Sequence, residues 1–259
     1  MKNTLFTFIL LAYCFFAFGQ SEPQLFKKKQ LQAQDLAPPE LKGQLIRFDF
    51  SKLFTQTDNA IVYGFIGNTY ERIRIKFISV TKSNVLADTY YVYGKSMVKT
   101  NIEEFRGSVT ISNIRKRKVT SNGVDDMYKN TGIKGQFVIV GDYSFSEDKK
   151  QRHSGKFKGV FISKFYVDKD GNAKYDDIDS ASDSFTNNQF IGEWRSYNER
   201  LIQRCNWGDF RIPNSGDLDI GAGDFSPNAK YLKNGWQGLA TEMAANKDAK
   251  KPGEIQWWK

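Results

Sequence analysis

Arg72-Ile73-Arg74-Ile75-Lys76-Phe77 alternates three cations with three large apolar side chains. In an extended chain successive side chains point to opposite faces, so Ile73, Ile75 and Phe77 share one side and the cations take the other. That is a strand with one dry face and one wet face. The same alternation, or enrichment in β-branched and aromatic residues, predicts strands over 45–50, 60–66, 89–99, 108–114, 136–145, 157–167 and 190–197. Asp168-Lys169-Asp170-Gly171-Asn172 is the clearest hairpin signal, since Gly171 or Asn172 can take the positive φ of a tight turn. No amphipathic helix separates these strands, which argues against parallel β-α-β units, and no Walker or dinucleotide fingerprint occurs. The expected fold class is therefore mainly β: an antiparallel β-barrel or barrel-like meander of about eight or more strands, with a loop-rich C-terminal extension containing one or two short helices.

Phe-x-Gly recurs at Phe65-Ile66-Gly67, Phe105-Arg106-Gly107, Phe157-Lys158-Gly159 and Phe190-Ile191-Gly192. Aromatic and glycine fall on one face, and a glycine inside a strand lets it bend or lets another backbone approach, as small barrels require. Toward the C-terminus, Ser226-Pro227 reads as an N-cap with proline at the first helical position, for a short helix ending near Asn234-Gly235. A second helical stretch is expected over 237–246, with Ile255, Trp257 and Trp258 docking onto the barrel.

The N-terminus reads as a secretion address. Lys2 supplies a cationic start, Leu5 to Phe18 is almost unbroken apolar sequence, and Ala17-Phe18-Gly19 offers small residues for cleavage. The run is shorter than the roughly 20 residues a membrane-crossing helix needs, and nothing comparable follows it. Leu11-Ala12-Tyr13-Cys14 approaches a bacterial lipobox, but Tyr13 is bulky and the apolar run continues past Cys14, so ordinary cleavage after Gly19 is expected. The organisation is then 1–19 signal peptide, 20–43 flexible tether with Pro23, Pro38 and Pro39, 44–204 β-barrel domain, and 205–259 a loop and short-helix extension packed on it. The expected location is periplasmic or extracellular. Cys205 is the only cysteine beyond the leader, so an internal disulfide is excluded.

The formal charge of +9 gathers in Lys27-Lys28-Lys29, Arg115-Lys116-Arg117-Lys118 and Lys149-Lys150-Gln151-Arg152. An acidic glycan or an envelope surface is the expected partner if these are more than solvated hairpin tips. They lack the aromatic interleaving of a single-strand nucleic-acid platform, and no nucleic-acid partner is expected.

Little in the chain points to catalysis. His153 is the only histidine and lies in a cationic loop without a Gly-x-Ser-x-Gly elbow, which reads as a surface residue. A His/Cys zinc site cannot form from one of each. Asp168, Asp170, Asn172, Asp176, Asp177 and Asp179 are oxygen-rich, but the spacing departs from an EF-hand loop and favours a tight turn over Ca²⁺. The richest segment is 205–225, which mixes aromatics, glycines and carboxylates. Its candidate ligand-binding residues are Trp207, Asp209, Phe210, Asp217, Asp219 and Asp224: an aromatic beneath a sugar ring and carboxylates accepting its hydroxyl protons, or a Ca²⁺ loop. The competing reading is an ordered loop in which aspartates cap turns and aromatics anchor to the core. No cofactor is otherwise implied.

Phe190-Ile191-Gly192-Glu193-Trp194 resembles the Gly-x-Trp element of calycin barrels, the lipocalin and avidin group, in which a strand tryptophan packs across one end. The likeness covers five residues. In lipocalins the element lies on the first strand, whereas Gly192 and Trp194 come late here, so no ligand or binding residue is carried over. What the resemblance implies is a closed meander with Trp194 at one mouth; read by itself, Trp194 is a core candidate whose indole N–H needs an acceptor.

The function expected from all of this is an exported, non-catalytic binding or envelope-associated β-barrel module for a glycan or small molecule. One alternative is a carboxylate-dependent glycan hydrolase using Asp209, Asp217, Asp219 or Asp224. The other is an integral outer-membrane barrel, opposed by the charges of Arg72, Arg74 and Lys76 on the face that would meet lipid.

Overall fold

Period-2 burial runs through strand after strand of the computed structural model, which describes residues 20–239 and 256–259. The strands are β1 (Leu36–Glu40), β2 (Val62–Ile66), β3 (Glu71–Lys82), β4 (Thr89–Val98), β5 (Asn101–Arg117), β6 (Gly135–Glu147), β7 (Gly155–Val167), β8 (Ala173–Tyr175), β9 (Asn187–Ser196) and β10 (Ile202–Asp209). From β2 round to β10, leaving out β8, each strand is antiparallel to the next in chain order, and β10 pairs back onto β2. The sheet thus closes into an eight-stranded up-and-down barrel.

The remaining two strands lengthen the wall at one end. β4 stops at Thr89 opposite Thr110, and β1 then pairs with β5 at Arg115 and Arg117. β9 leaves β7 at Ile162, and β8 takes up Phe165 to Val167. Around that same end sit the helical segments α2 (Lys42–Leu45) and α3 (Ser51–Thr55), which precede the barrel in the chain.

Ile73, Ile75 and Phe77 point inward as their alternation requires, and all three are buried. They meet a packed aromatic interior. Phe190 stacks on Trp207 with ring centroids 4.8 Å apart and planes at 8°, and Phe77 turns its edge to Phe105, Phe145 and Phe190. Each such side chain removed from water contributes about 1.5–3 kcal/mol, which is why a barrel without a disulfide can hold.

Glycine makes room for these rings. Gly159 and Gly192 are cross-strand partners of β7 and β9, and a Cβ on Gly159 would overlap the Ile191 carbonyl while one on Gly192 would overlap the Lys158 carbonyl and the Tyr143 hydroxyl. Two of the Phe-x-Gly repeats therefore mark one place where the wall draws tight. Gly67 does something else: it turns the chain from β2 to β3 at φ 75°.

Residues 20–43, expected as a tether, hold β1 and a ten-residue helix, α1 (Glu22–Leu31). Proline in the first turn and Lys28 and Lys29 in the last suit the helix ends. Its Phe26 joins Leu36 against outward Val138, Val140, Val160, Ile162 and Ile191. Those strands are apolar on both faces where they are covered.

Of the stretch 45–50, expected as a strand, Leu45 ends α2 and the rest is a turn between α2 and α3. Asp49 accepts hydrogen bonds from Ser51 N at 2.9 Å and Ser51 Oγ at 2.6 Å; this local capture starts a helical turn and breaks the extended run. Phe50 is buried all the same. The wall itself begins at Val62 and ends at Asp209, so 205–209 belongs to β10. Beyond it the chain lays Ile212, Leu218, Phe225, Trp236 and Leu239 over outward Tyr63 and Phe65 of β2. The short helix expected from Pro227 is a 3-10 turn over Ala229–Asn234, capped by Asn228 in place of Ser226 and closed by Gly235 at φ 94°. The second helix, expected over 237–246, lies largely outside the described residues, as does Ile255. Trp258 sits with Lys76 Nζ 4.7 Å from its ring centroid.

Candidate functional site

Two mouths and one outer wall are the places where this barrel could meet a ligand. At the mouth bearing α2 and α3, Phe50, Leu53 and Phe54 turn inward and are buried. Beneath Phe54 remains a cavity of about 30 Å³, bordered by Thr57, Asn188, Phe190, Trp207 and Asp209, which is room for little more than a water.

Asp209 closes the inner wall there. Its Oδ2 accepts from Thr57 Oγ1 at 2.9 Å, Tyr175 Oη at 2.8 Å and Asn188 Nδ2 at 2.9 Å. Burial pushes its pKa from 3.8 up to about 7, against the pull of those three donors toward the charged form. Burial, then the Asp209 charge, raises Tyr175 in turn. Asn188 also donates to the Leu53 carbonyl at 2.8 Å and accepts from Ser163 Oγ at 2.8 Å, tying α3 to the wall.

The opposite mouth is closed by the wall itself. Trp194 donates its indole N–H to Glu147 Oε2 at 2.9 Å. Gly155 N reaches the same oxygen at 2.8 Å, and Ser96 Oγ reaches Oε1 at 2.8 Å. Burial raises the Glu147 pKa above the ordinary carboxylate value despite these donors, and nearby Glu103 adds to the rise.

The six residues singled out in 205–225 fall into two groups. Trp207 and Asp209 both border the small cavity, Trp207 with its ring stacked on Phe190 inside the barrel. The other four belong to the outer loop. Phe210, at φ 67°, sets its ring edge-on to Phe185 with centroids 4.8 Å apart. Asp217 is exposed, pairs with Lys230 and accepts from Tyr231 Oη at 2.8 Å; these contacts hold its carboxyl below the usual range. Asp219 faces Arg211 Nε at 2.9 Å and accepts from Gly221 N at 3.0 Å and Ser226 N at 3.1 Å. Asp224 is exposed and offers its carbonyl to Arg211 Nη2 at 3.2 Å. Arg211 thus organises this loop from its centre.

Glu147, Thr57, Tyr175 and Asn188 were not singled out from sequence. For Glu147 a signal existed: it continues the inward series Tyr143, Phe145, so a carboxylate stood on the dry face of a strand. Nothing local marks Thr57 or Asn188, because their shared partner is brought to them by closure of the barrel. In the oxygen-rich stretch after Asp168, Asp168 Oδ1 caps a turn by accepting from Asp170 N and Asn172 N at 3.0 and 2.8 Å, while Asp176 is buried against Gln136. Among the described residues, no three His, Cys, Asp or Glu gather as a metal site. His153 is exposed on the β6–β7 turn.

The outer wall has more room. One groove of about 790 Å³ runs beside the start of α1 past Ser108, Ser144, Lys158 and Arg195. A second, of about 550 Å³, follows β3 to β5 past Ser79, Thr81, Tyr91, Tyr93 and Arg106. No protein-family model matches the chain, and no curated protein or solved structure matches it either.

Proposed function

We propose that the protein is an exported, non-catalytic binding or envelope-associated module that works through the outside of its barrel. The observation that carries this is the filled interior: aromatic rings occupy it from mouth to mouth, and the cavity they leave beneath Phe54 measures about 30 Å³ among the described residues. A small-molecule pocket needs roughly ten times that space or more. Binding is therefore assigned to the wall and its grooves.

The wall's chemistry supports a wetted surface. Arg106, Lys156, Lys158, Glu193 and Arg195 all lie on outward strand positions, where a lipid-embedded barrel carries an apolar band. The carboxylate-hydrolase alternative draws on Asp209, whose pKa of about 7 suits a general acid. Its enclosure behind Phe54, with room for a water and not for a sugar, weighs against that role.

Fractionation of cells making the protein tests the reading. The expected result is a chain beginning near Gln20, free in the periplasmic or secreted fraction or released from envelopes by high salt alone. Retention until detergent is added would favour the membrane barrel, and glycan hydrolysis abolished by Asp209→Asn would favour the enzyme.

A further inference from the structure

Along the hydrogen-bonded register, outward positions line up into two rows running across the strands. One row is Thr81, Tyr91, Ser108, Ser144 and Lys158, on β3 through β7. Beside it run Ser79, Tyr93, Arg106, Ser146, Lys156 and Arg195, reaching β9. Strands about 4.8 Å apart make this a belt on the order of 20–25 Å long. The two outer grooves meet on it at Ser108.

The composition of the belt is specific. Tyr91 is 56% exposed, and Tyr93 lies under the Arg106 guanidinium, whose carbon is 4.7 Å from the ring centroid. Flat rings offer an apolar face to the C–H side of a sugar, and flanking serine and threonine hydroxyls match the sugar's own. Arg106, Lys156, Lys158 and Arg195 supply cations at intervals, with the acids Glu193 and Glu22 beside them, Glu193 paired to Arg195 at 2.8 Å and Glu22 to Arg204 at 2.7 Å. The acids at the edges are also engaged, Glu104 by Lys95 at 3.5 Å and Asp142 by Lys27 at 2.7 Å. α1 lies on β6, β7 and β9, the C-terminal loop lies on β2, and Trp258 packs at Lys76 lower on β3; Tyr91 and Arg106 remain exposed among the described residues.

We propose that this belt binds an acidic polysaccharide laid across the strands, a sugar ring stacked on Tyr91 and its carboxylates held by Lys156, Lys158 and Arg106, the last steadied over the Tyr93 ring. The proposal deepens the surface-binding function above and rests on it. A threadlike polyanion fits better than an anionic membrane, because the cations follow a line along the wall, interleaved with rings and hydroxyls, and do not form a flat basic plane.

Titration with polygalacturonate tests it, with neutral dextran, dextran sulfate and anionic phospholipid vesicles as comparison probes. Polygalacturonate should bind and dextran should not. Tyr91→Ala and Arg106→Gln should each weaken binding about tenfold, Tyr91→Phe should keep it, and Lys149→Gln with Lys150→Gln on the β6–β7 turn should leave it unchanged. All these positions are at the surface, and matching melting temperatures would show the variants folded. Full-strength binding by Tyr91→Ala and Arg106→Gln would overturn the belt while leaving surface binding standing. Dextran sulfate bound as tightly as polygalacturonate, and indifferent to Tyr91→Ala, would reduce the interaction to charge and overturn the stacking. Vesicle binding without polygalacturonate binding would overturn the glycan and keep an envelope role; binding to none of the probes would count against both.

Discussion

The barrel's two mouths solve one problem with different materials. At one, Trp194 and Glu147 come from strands of the wall, and their donors Ser96 and Gly155 are wall residues too. At the other, the plug is α3, a segment from before the first barrel strand, and Asp209 at the end of the last strand is satisfied by Thr57 and Tyr175 from outside the eight-stranded wall. Each mouth buries a carboxyl group with three donors and a raised pKa. What the difference teaches is where stability is shared: the Trp194 mouth opens only if the sheet opens, whereas the Asp209 mouth can loosen by undocking one short segment.

Trp194→Ala should have the largest effect, about 3–5 kcal/mol, because it empties an indole-sized space and strips a donor from a buried carboxyl. Urea unfolding should remain a single transition, shifted as a whole. Leu53→Ala at the other mouth should cost about 2–5 kcal/mol, and there amide exchange should quicken first in Ser51–Thr55, ahead of the wall. If exchange rises uniformly in both variants, the two mouths are one cooperative unit and the contrast fails.

The carboxyl groups sharpen the comparison through pH. Asp209 keeps its proton in the folded state up to about pH 7 but loses it near 3.8 when unfolded, so between those values the folded chain binds more protons. Its stabilising contribution is complete below the unfolded pKa, declines as pH rises through the window and is absent above about 7, a loss on the order of 2–4 kcal/mol. Asp209→Asn should flatten that decline and match or exceed the parent protein in stability near pH 8. Glu147→Gln should change the profile less, since its carboxyl is less completely enclosed. Urea midpoints between about pH 5 and pH 8 decide this.

The smallest effect belongs between the mouths. Tyr143 is buried, and its hydroxyl has no hydrogen-bond partner among the described residues. Tyr143→Phe should leave stability unchanged or raise it by about 1 kcal/mol, read as a slightly higher melting temperature. A clear loss would mean that the hydroxyl against Gly192 has a role the packing does not reveal.

The same contrast explains what could be read from the sequence. Ile73, Ile75, Phe77 and the Phe-x-Gly repeats were legible because a strand writes its burial at period 2, and Trp194 could be assigned a core place and a missing acceptor from its strand alone. Phe48 and Phe50 keep that period for another reason, since Asp49 folds the chain into a helical turn while both aromatics seek the mouth. Cys205, Trp207 and Asp209 alternate inward as cleanly as any strand, yet the glycines and aspartates that follow disguised them as loop. That Asp209 has Thr57 among its partners could not be read locally, because only barrel closure brings the two together.

That closure has a kinetic consequence. Thr57 and Asp209 stand 152 residues apart in the chain, and the seam of β2 with β10 joins the first staves of the barrel to the last. Until that last stave is in place the aromatic column has an open side, so the pairing of β10 with β2, the most non-local in the sheet, sets the pace at which the interior becomes dry.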